Sequence, residues 1–292
     1  MNPIPNAIIG GSGLYQLEGL TGVQKLDIDT PFGKPSDTII AGQLDGIGVA
    51  FLPRHGRGHR ISPTELPARA NIWALKSLGV QRIIASSACG SLKEQIAPRH
   101  IVIPDQLYDR TRHRRPHTFF DGGIVAHIGF AEPFCPTLRQ ILIDGVQAAG
   151  AIVHDGGTMV VIEGPQFSTK AESNIYRRLG FDTIGMTALP EAKLAREAEI
   201  CYASMNLVTD YDVWRAGHDQ VTVEMVIANM QANLETAKNI IRYALPKMNA
   251  LDAAPACGCP NALAGAIITH PAHIPAHKKE QLGLLIEKYV HD

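Results

Sequence analysis

The sequence predicts an α/β protein, a single domain in which a mixed, largely parallel sheet is flanked by helices. Short apolar runs of strand length alternate with longer amphipathic runs along most of the chain. Several of the short runs end in glycine-rich or small polar turns, as strands of open α/β sheets do. The 292 residues, 45% of them hydrophobic, suffice for one large core, although length alone does not exclude two smaller domains.

The strands begin with the apolar run 6–9, which ends in Gly10-Gly11-Ser12-Gly13. A hairpin is predicted over 38–44 and 47–52, because the Asp45-Gly46 pair between these runs is typical of a two-residue turn. Further buried strands are predicted over 82–86, 101–104, 159–162, 183–186 and 202–209.

Helices are predicted over 65–78, 136–149, 170–179, 190–199 and 223–245, with a last helix around 278–289. The composition changes after Met248, where residues 249–260 are rich in Ala, Pro, Gly and Cys. A segment of about forty residues is too short to hold a core of its own. We therefore expect residues 1–248 to form the main domain and residues 249–292 to form an extension packed on it.

The charge balance argues against polyanionic partners. The chain has 27 basic and 28 acidic residues and a net charge of -1, so no global field attracts nucleic acid or an anionic membrane. No apolar run approaches the ~18 residues that span a bilayer, and the first residues lack the features of a secretory signal. We expect a cytoplasmic protein in which a local cluster captures any anionic substrate.

Two turns and one basic run offer groups that suit a phosphate. The turns at 10–13 and 86–91 supply backbone N–H groups and hydroxyls, although a tight structural turn explains each of them equally well. The run from Arg54 to Arg60 adds a guanidinium, which grips phosphate with paired hydrogen bonds, and a histidine as a further donor; a solvated loop is the alternative. A second basic run, 110–115, is predicted to be solvated or to lie at a subunit contact.

Two carboxylates, Asp210 and Asp212, directly follow the strand predicted over 202–209. They suit a metal site, a general acid pair or a device that recognises a base, and an Asx turn is the structural alternative. A metal site would need further carboxylates or histidines close by, and the adjacent sequence has none.

Nine segments in this order resemble the methylthioadenosine branch of the trimeric purine-nucleoside phosphorylases. They are GGSGL at 10–14, DTPFG at 29–33 with Ser36-Asp37, RHGR at 54–57, ANIWAL at 70–75, ACGSL at 88–92, AEPFCP at 131–136, EGPQFS at 163–168, Met186-Thr187 with Pro190-Glu191, and TDYD at 209–212. The resemblance covers about residues 6 to 246, and nine ordered segments are far more specific than any single motif.

The resemblance implies a site assembled from the ends of several strands. The phosphate would be bound by Ser12, Arg54, His55, Ser87, Ala88 and Thr187. The nucleoside would contact Phe167, Ser168, Met186, Asp210, Asp212, Val223, Val226 and Ile227, and His127 would reach in from a neighbouring subunit. The family also implies a homotrimer or a dimer of trimers.

The implied reaction is phosphorolysis of S-methyl-5'-thioadenosine, in purine and methionine salvage, with inorganic phosphate as co-substrate and no cofactor or metal. Asp212 would donate a hydrogen bond or proton to N7 of the leaving purine, and Asp210 would assist it. Carboxylates favour the 6-amino group of adenine, while an apolar Val223 favours a 5'-thiomethyl group. The rivals are a phosphorylase for methylthioinosine or other 6-oxopurine nucleosides, a nucleosidase that uses water, and a non-catalytic dinucleotide-binding module.

The extension contains Cys257-Gly258-Cys259, for which three interpretations are open. The two cysteines could form a disulfide, as the resemblance to some thermophilic relatives implies. They could bind zinc together with His270, His273 and His277, although the spacing is not that of a known finger. We expect the third interpretation, reduced thiols packed on the domain.

Overall fold

The computed structural model describes residues 3–11, 13–14, 18–111, 115–215, 222–251 and 257–291. Its eleven strands are β1 (Asn6–Gly10), β2 (Leu20–Leu26), β3 (Ile39–Leu44), β4 (Ile47–Pro53), β5 (Arg82–Ser91), β6 (Ile101–Ile103), β7 (Gln106–Arg110), β8 (Val153–Asp155), β9 (Thr158–Ile162), β10 (Thr183–Gly185) and β11 (Cys201–Asp210). The helices are α1 (Ala68–Ser77), α2 (Pro136–Ala148), α3 (Lys170–Arg178), α4 (Ala188–Glu197), α5 (Val223–Asn249) and α6 (Ala276–Ile286).

All eleven strands belong to one sheet that branches at β5. The path runs β2-β3-β4-β1-β5-β10-β9-β7, while β11 pairs with the other edge of β5 and continues to β6 and β8. The pairs β4–β1, β1–β5, β5–β11, β6–β8, β9–β10 and β7–β9 are parallel. The predicted fold class, a largely parallel sheet flanked by helices, is therefore confirmed.

The parallel strands β4, β1, β5 and β11 point the same way, so their carboxyl ends share one edge of the sheet. Ligands of open α/β sheets bind outside that edge. Helix α5 packs against α2 and β11, and α4 packs against α1 and β11, so that helices support the sheet behind this edge. The edge is consequently the place to look for a site.

The hairpin is the local prediction with the clearest physical cause. Asp45 and Gly46 have φ values of 51° and 79°, the left-handed pair that a two-residue turn between β3 and β4 requires. The helix predicted from residue 65 starts later, at Ala68. Proline at 67 holds Leu66 in an extended conformation (φ -56°, ψ 123°) and thereby separates α1 from a short 3₁₀ turn over Pro63–Glu65.

The sequence did not predict three of the strands, β2, β7 and β8. Strand β2 (LTGVQKL) is largely exposed at the end of the sheet path, and β8 has only three residues. Neither carries the apolar run by which the buried strands were recognised. Helix α5 also continues beyond the predicted end to Asn249, through Pro246.

The C-terminal segment contributes side chains to a core shared with the sheet. Leu263, Leu282 and Leu285 are buried in the same hydrophobic cluster as Phe119 and Phe134. The division at residue 248 stays a prediction. Among the described residues, no helix is both long enough and apolar enough to cross a membrane.

Candidate active site

Arg54 lies at the carboxyl end of β4 and is held there by a buried ion pair. Its Nε and Nη2 donate to the two carboxylate oxygens of Glu191 on α4, at 2.9 and 3.0 Å, and Nη1 donates to the Ser86 carbonyl at 2.8 Å. Tyr202 donates a further bond to Glu191 at 2.8 Å. Burial opposes the charge of Arg54, but the attraction of Glu191 prevails and raises the guanidinium pKa.

These contacts fix the plane of the Arg54 guanidinium before any ligand arrives. Three of its five N–H groups are used, and the other two find no acceptor among the described residues. Glu191 thus occupies the face of the guanidinium formed by Nε and Nη2. What remains for an anion is one N–H on each terminal nitrogen.

Two hydroxyls meet next to this guanidinium. Ser87 on β5 and Thr187 at the start of α4 are both buried, and their hydroxyl oxygens lie 3.2 Å apart. Thr187 directly precedes α4, but Leu189 has non-helical backbone angles (φ -115°, ψ 136°), so the segment 187–189 is not a regular first helical turn. Ala88 is half-buried beside Ser87. Ser12, expected in the same cluster, lies outside the described residues.

His55 differs from its expected role as a donor. Its Nδ1 lies 2.8 Å from the Ile61 carbonyl, which can only accept, so Nδ1 carries the ring proton. Burial, together with the adjacent Arg54, lowers the pKa of His55 to about 4, which makes the ring neutral at pH 7. In that state Nε2 carries a lone pair and accepts a hydrogen bond, for instance from a protonated phosphate oxygen.

The two basic runs contribute differently from what the sequence suggested. Arg57 is directed to Asp37, with its Nη2 2.7 Å from Oδ1, and is half-exposed. Arg115 is buried, whereas we expected a solvated or subunit-contact side chain. Its Nε donates to Glu163 at 3.1 Å and its Nη1 to the Met186 carbonyl at 2.6 Å. It is thus an internal brace for the turn before Thr187; residues 112–114 lie outside the described part.

Asp210 and Asp212 lie at the end of β11, and both are buried. Asp210 accepts from the Thr209 hydroxyl at 2.7 Å and from the backbone N–H of Asp212 at 2.8 Å, which is an Asx turn. Asp212 has φ 52°, a left-handed value that Asp tolerates. The Asx turn is therefore present, and it orients the second carboxyl.

One oxygen of the Asp212 carboxyl, Oδ2, is buried and has no hydrogen-bond partner among the described residues. Burial raises its pKa, while the nearby hydroxyls of Ser173 and Ser168 lower it without making a hydrogen bond of ordinary geometry. Burial likewise raises the pKa of Asp210. Such carboxyls hold a proton more readily than exposed ones and can act as hydrogen-bond donors.

Strand β5 connects the two groups. A Cβ added at Gly90 would lie 2.9 Å from Asp210 Oδ1 and 3.4 Å from Asp212 Cβ, so both aspartates pack directly on this glycine. Ser87 lies three residues earlier on the same strand. Arg54 and Asp212 consequently occupy the same edge of the sheet, as the predicted phosphate and base groups require.

The remaining nucleoside residues surround this edge. Ser168 is buried, Met186 is half-buried, and Phe167 is 42% exposed. Phe167 and Ser168 line a cavity after β9, together with Glu163 and Tyr176. A Cβ added at Gly164 would lie 2.5 Å from the sulfur of Met186, so this glycine lets the two loops approach.

The apolar side chains at the start of α5 are accessible. Val223 is 59% and Ile227 is 48% exposed, and Val226 is half-buried. Asn229, one turn further along, donates to the Thr209 carbonyl at 2.7 Å and so ties α5 to the end of β11. His127 is exposed, and its N–H donates to Ala266 at 2.9 Å, a contact with the C-terminal segment of the same chain.

Two residues important for this geometry, Glu191 and Arg115, received no role from the sequence. Glu191 appeared there only within a motif, and Arg115 only within a charge run. A buried ion pair between residues 137 positions apart leaves no local pattern. Composition gave no signal either, because Glu191 shares its helix with Lys193, Arg196 and Glu197.

Known proteins share both this fold and these segments. The model of the phosphorylase superfamily matches residues 5–246. The S-methyl-5'-thioadenosine phosphorylase of Chloroflexus aurantiacus is 57% identical over 97% of each chain. A methylthioadenosine phosphorylase from an antarctic soil metagenomic library has a TM-score of 0.93 and 46% identity, covering 98% of this chain and 100% of that one.

A second solved structure is similar over most of the chain. The methylthioadenosine phosphorylase of Schistosoma mansoni, solved in complex with adenine, has a TM-score of 0.80 and 39% identity, over 85% of this chain and 93% of that one. An open α/β sheet with a guanidinium, two hydroxyls and two buried carboxyls at one edge is the architecture of a nucleoside-binding enzyme. The chain belongs to the phosphorylase superfamily and, within it, to the S-methyl-5'-thioadenosine phosphorylases.

Proposed function

We propose that the chain cleaves S-methyl-5'-thioadenosine with inorganic phosphate, yielding adenine and 5-methylthioribose-1-phosphate. The proposal depends mainly on strand β5. Near Ser87 it carries an anion-binding cluster, made of Arg54, Ser87 and Thr187, and at Gly90 two buried carboxyls pack against it. The names of the relatives agree with this assignment.

In the proposed reaction a phosphate oxygen forms a bond to the anomeric carbon while the bond from that carbon to the purine N9 breaks. Arg54, Ser87, Thr187 and the backbone at Ala88 hold the phosphate, whose charge stabilises the cationic sugar. His55 accepts from a protonated phosphate oxygen. Electron density that collects on the purine is neutralised at N7 by the proton of Asp212, which solvent restores after product release.

The nucleoside lies between these groups, with its purine against Ser168, Asp210 and Asp212. Met186 and Phe167 contact the ribosyl ring, and Val223, Val226 and Ile227 face the 5'-thiomethyl group. We propose no cofactor and a homotrimer, or a dimer of trimers, in which His127 of one subunit closes the pocket of the next. We also propose a cytoplasmic location.

A base-release assay tests the proposal with methylthioadenosine, methylthioinosine, adenosine and inosine, each with and without phosphate. We expect methylthioadenosine to be turned over best, adenosine more slowly, the 6-oxo substrates poorly, and nothing without phosphate. Preference for methylthioinosine would establish the 6-oxo rival, turnover without phosphate would establish a nucleosidase, and tight NAD binding without turnover a dinucleotide-binding module.

A matched pair of variants checks the anion cluster. Arg54→Lys loses the fixed planar guanidinium and raises the KM for phosphate, whereas Arg57→Lys, in the same loop but directed to Asp37, leaves it nearly unchanged. Equal effects of the two variants would count against Arg54 as a phosphate ligand.

A further inference from the structure

Four of the five cysteines converge on one point far from the candidate active site. The Sγ atoms of Cys135, Cys201, Cys257 and Cys259 all lie within 4.8 Å of one another, and those of Cys201 and Cys257 are 3.4 Å apart. Cys89, the fifth cysteine, is buried in a separate cluster. The sequence had suggested His270, His273 and His277 as partners of Cys257 and Cys259, but these histidines do not join the group.

The four sulfurs come from three separate parts of the chain. Cys135 is the N-cap residue of α2, and Cys201 is the first residue of β11. Cys257 and Cys259 belong to the C-terminal segment, and Cys259 opens a 3₁₀ turn over Cys259–Asn261. All are buried except Cys257, which is half-buried. The cluster therefore joins the C-terminal segment to the sheet and to α2.

The geometry suits a tetrahedral metal ion. Sulfur ligands 2.3 Å from one zinc ion lie about 3.8 Å apart, a spacing within the limits observed for this cluster. Four thiolates are the donor set that selects zinc over magnesium or calcium, which prefer oxygen ligands. Four sulfurs also leave no open coordination position, which is typical of a structural site.

The charge of four thiolates favours a bound cation. Four neighbouring thiolates repel one another, and a dication removes that repulsion. Four thiolates around Zn²⁺ leave a charge of about -2. Arg82, which is buried and paired with Cys201 in the β5–β11 ladder, places a positive charge on the neighbouring strand.

We propose that Cys135, Cys201, Cys257 and Cys259 bind one structural Zn²⁺ ion that fastens the C-terminal segment to α2 and β11. The site lies at the opposite end of β11 from Asp210, nine residues or about 30 Å along the strand. The ion therefore stabilises the fold and takes no part in phosphorolysis.

Metal analysis of the full chain, purified without chelator or a metal-affinity column, tests the proposal. We expect one zinc per chain in the unmodified protein and in Cys89→Ser, and loss of that zinc in Cys257→Ser and Cys259→Ser. Replacing Zn²⁺ by Co²⁺ in the unmodified protein should give the absorption of tetrahedral cobalt thiolate. Removing the metal should lower Tm by roughly 5–10 °C while kcat/KM at permissive temperature changes less than about twofold.

The rival chemistry is oxidation of the same thiols to disulfides. Fewer than five titratable thiols in denatured, unreduced protein would overturn the proposal, and so would zinc retained in both Cys257→Ser and Cys259→Ser. If these variants do not fold, addition of Zn²⁺ and Co²⁺ to the reduced, unmodified chain decides. Failure to bind either ion would refute the site, whatever the outcome of the base-release assay.

Discussion

Two buried carboxyls at the same edge of the sheet have opposite surroundings. Glu191 receives two hydrogen bonds from Arg54 and one from Tyr202, so its charge is fully used inside the protein. Asp212 is equally buried, yet its Oδ2 has no partner among the described residues. The first arrangement fixes the Arg54 guanidinium in place, and the second leaves a hydrogen-bonding atom for a ligand. Glu191 therefore builds the proposed site, whereas Asp212 is the carboxyl proposed to contact the substrate.

The largest effect on activity is expected from a substitution of Asp212. Asp212→Asn should lower kcat/KM for methylthioadenosine by about 10²–10⁴, since the proton for the leaving purine is lost. It should also narrow or invert the preference for adenine over hypoxanthine nucleosides, because an amide can donate to a 6-oxo group. Base release from methylthioadenosine and methylthioinosine measures both quantities, and an unchanged ratio of the two would contradict the assignment.

The same variant should also change the pH dependence of the protein's stability. Burial raises the pKa of Asp212, so between its unfolded and folded values the folded protein binds the proton more tightly. The contribution of this group to stability is then complete below the unfolded pKa and is lost as pH rises through the folded pKa. Asp212→Asn should therefore gain in Tm relative to the unmodified protein as the pH rises from the unfolded pKa of this carboxyl to its folded pKa. The opposite trend would indicate an ionised, stabilised carboxylate.

A loss of stability is expected at Glu191, the paired carboxyl. Glu191→Gln leaves the buried charge of Arg54 without its counter-ion, and should lower the free energy of unfolding by about 3–5 kcal/mol. Asp29→Asn, at an exposed ion pair with Lys34, is the control and should change it little. Denaturant unfolding measures both. A Glu191→Gln protein as stable as the control would mean that the pair does not hold Arg54.

A smaller effect is expected at the apolar wall on α5. Val223→Ser should reduce the preference for methylthioadenosine over adenosine by about tenfold, because one apolar contact with a substrate group is worth ~1–3 kcal/mol. Val23→Ser, at a similarly exposed valine on β2, is the matched control. Ratios of kcat/KM for the two nucleosides check the prediction, and equal ratios in both variants would remove Val223 from the pocket.

Local chemistry explains what the sequence could predict. The hairpin follows from Asp45-Gly46, and the buried strands follow from their apolar runs. Asp210 and Asp212 were recognisable because two carboxylates directly follow such a run. Exposed β2 has no comparable signal, and Arg115 was misjudged because a buried arginine and a solvated one look alike in a charge run.

Long-range pairing explains what the sequence could not predict. Glu191 and Arg54 are 137 positions apart, and only the folded chain shows that this carboxylate holds the Nε and Nη2 face of the guanidinium. The cysteine cluster unites positions 135, 201, 257 and 259, so the C-terminal segment alone could not reveal Cys135 and Cys201 as the neighbours of Cys257 and Cys259.

Strand β5 joins the two ends of the proposed site. Its residues from Ser87 to Gly90 cover about 10 Å, and only Ala88 and Cys89 lie between the hydroxyl at one end and the glycine beneath the aspartates at the other. In the proposed reaction, the rigid backbone of one strand therefore sets the distance between the bound phosphate and the leaving purine.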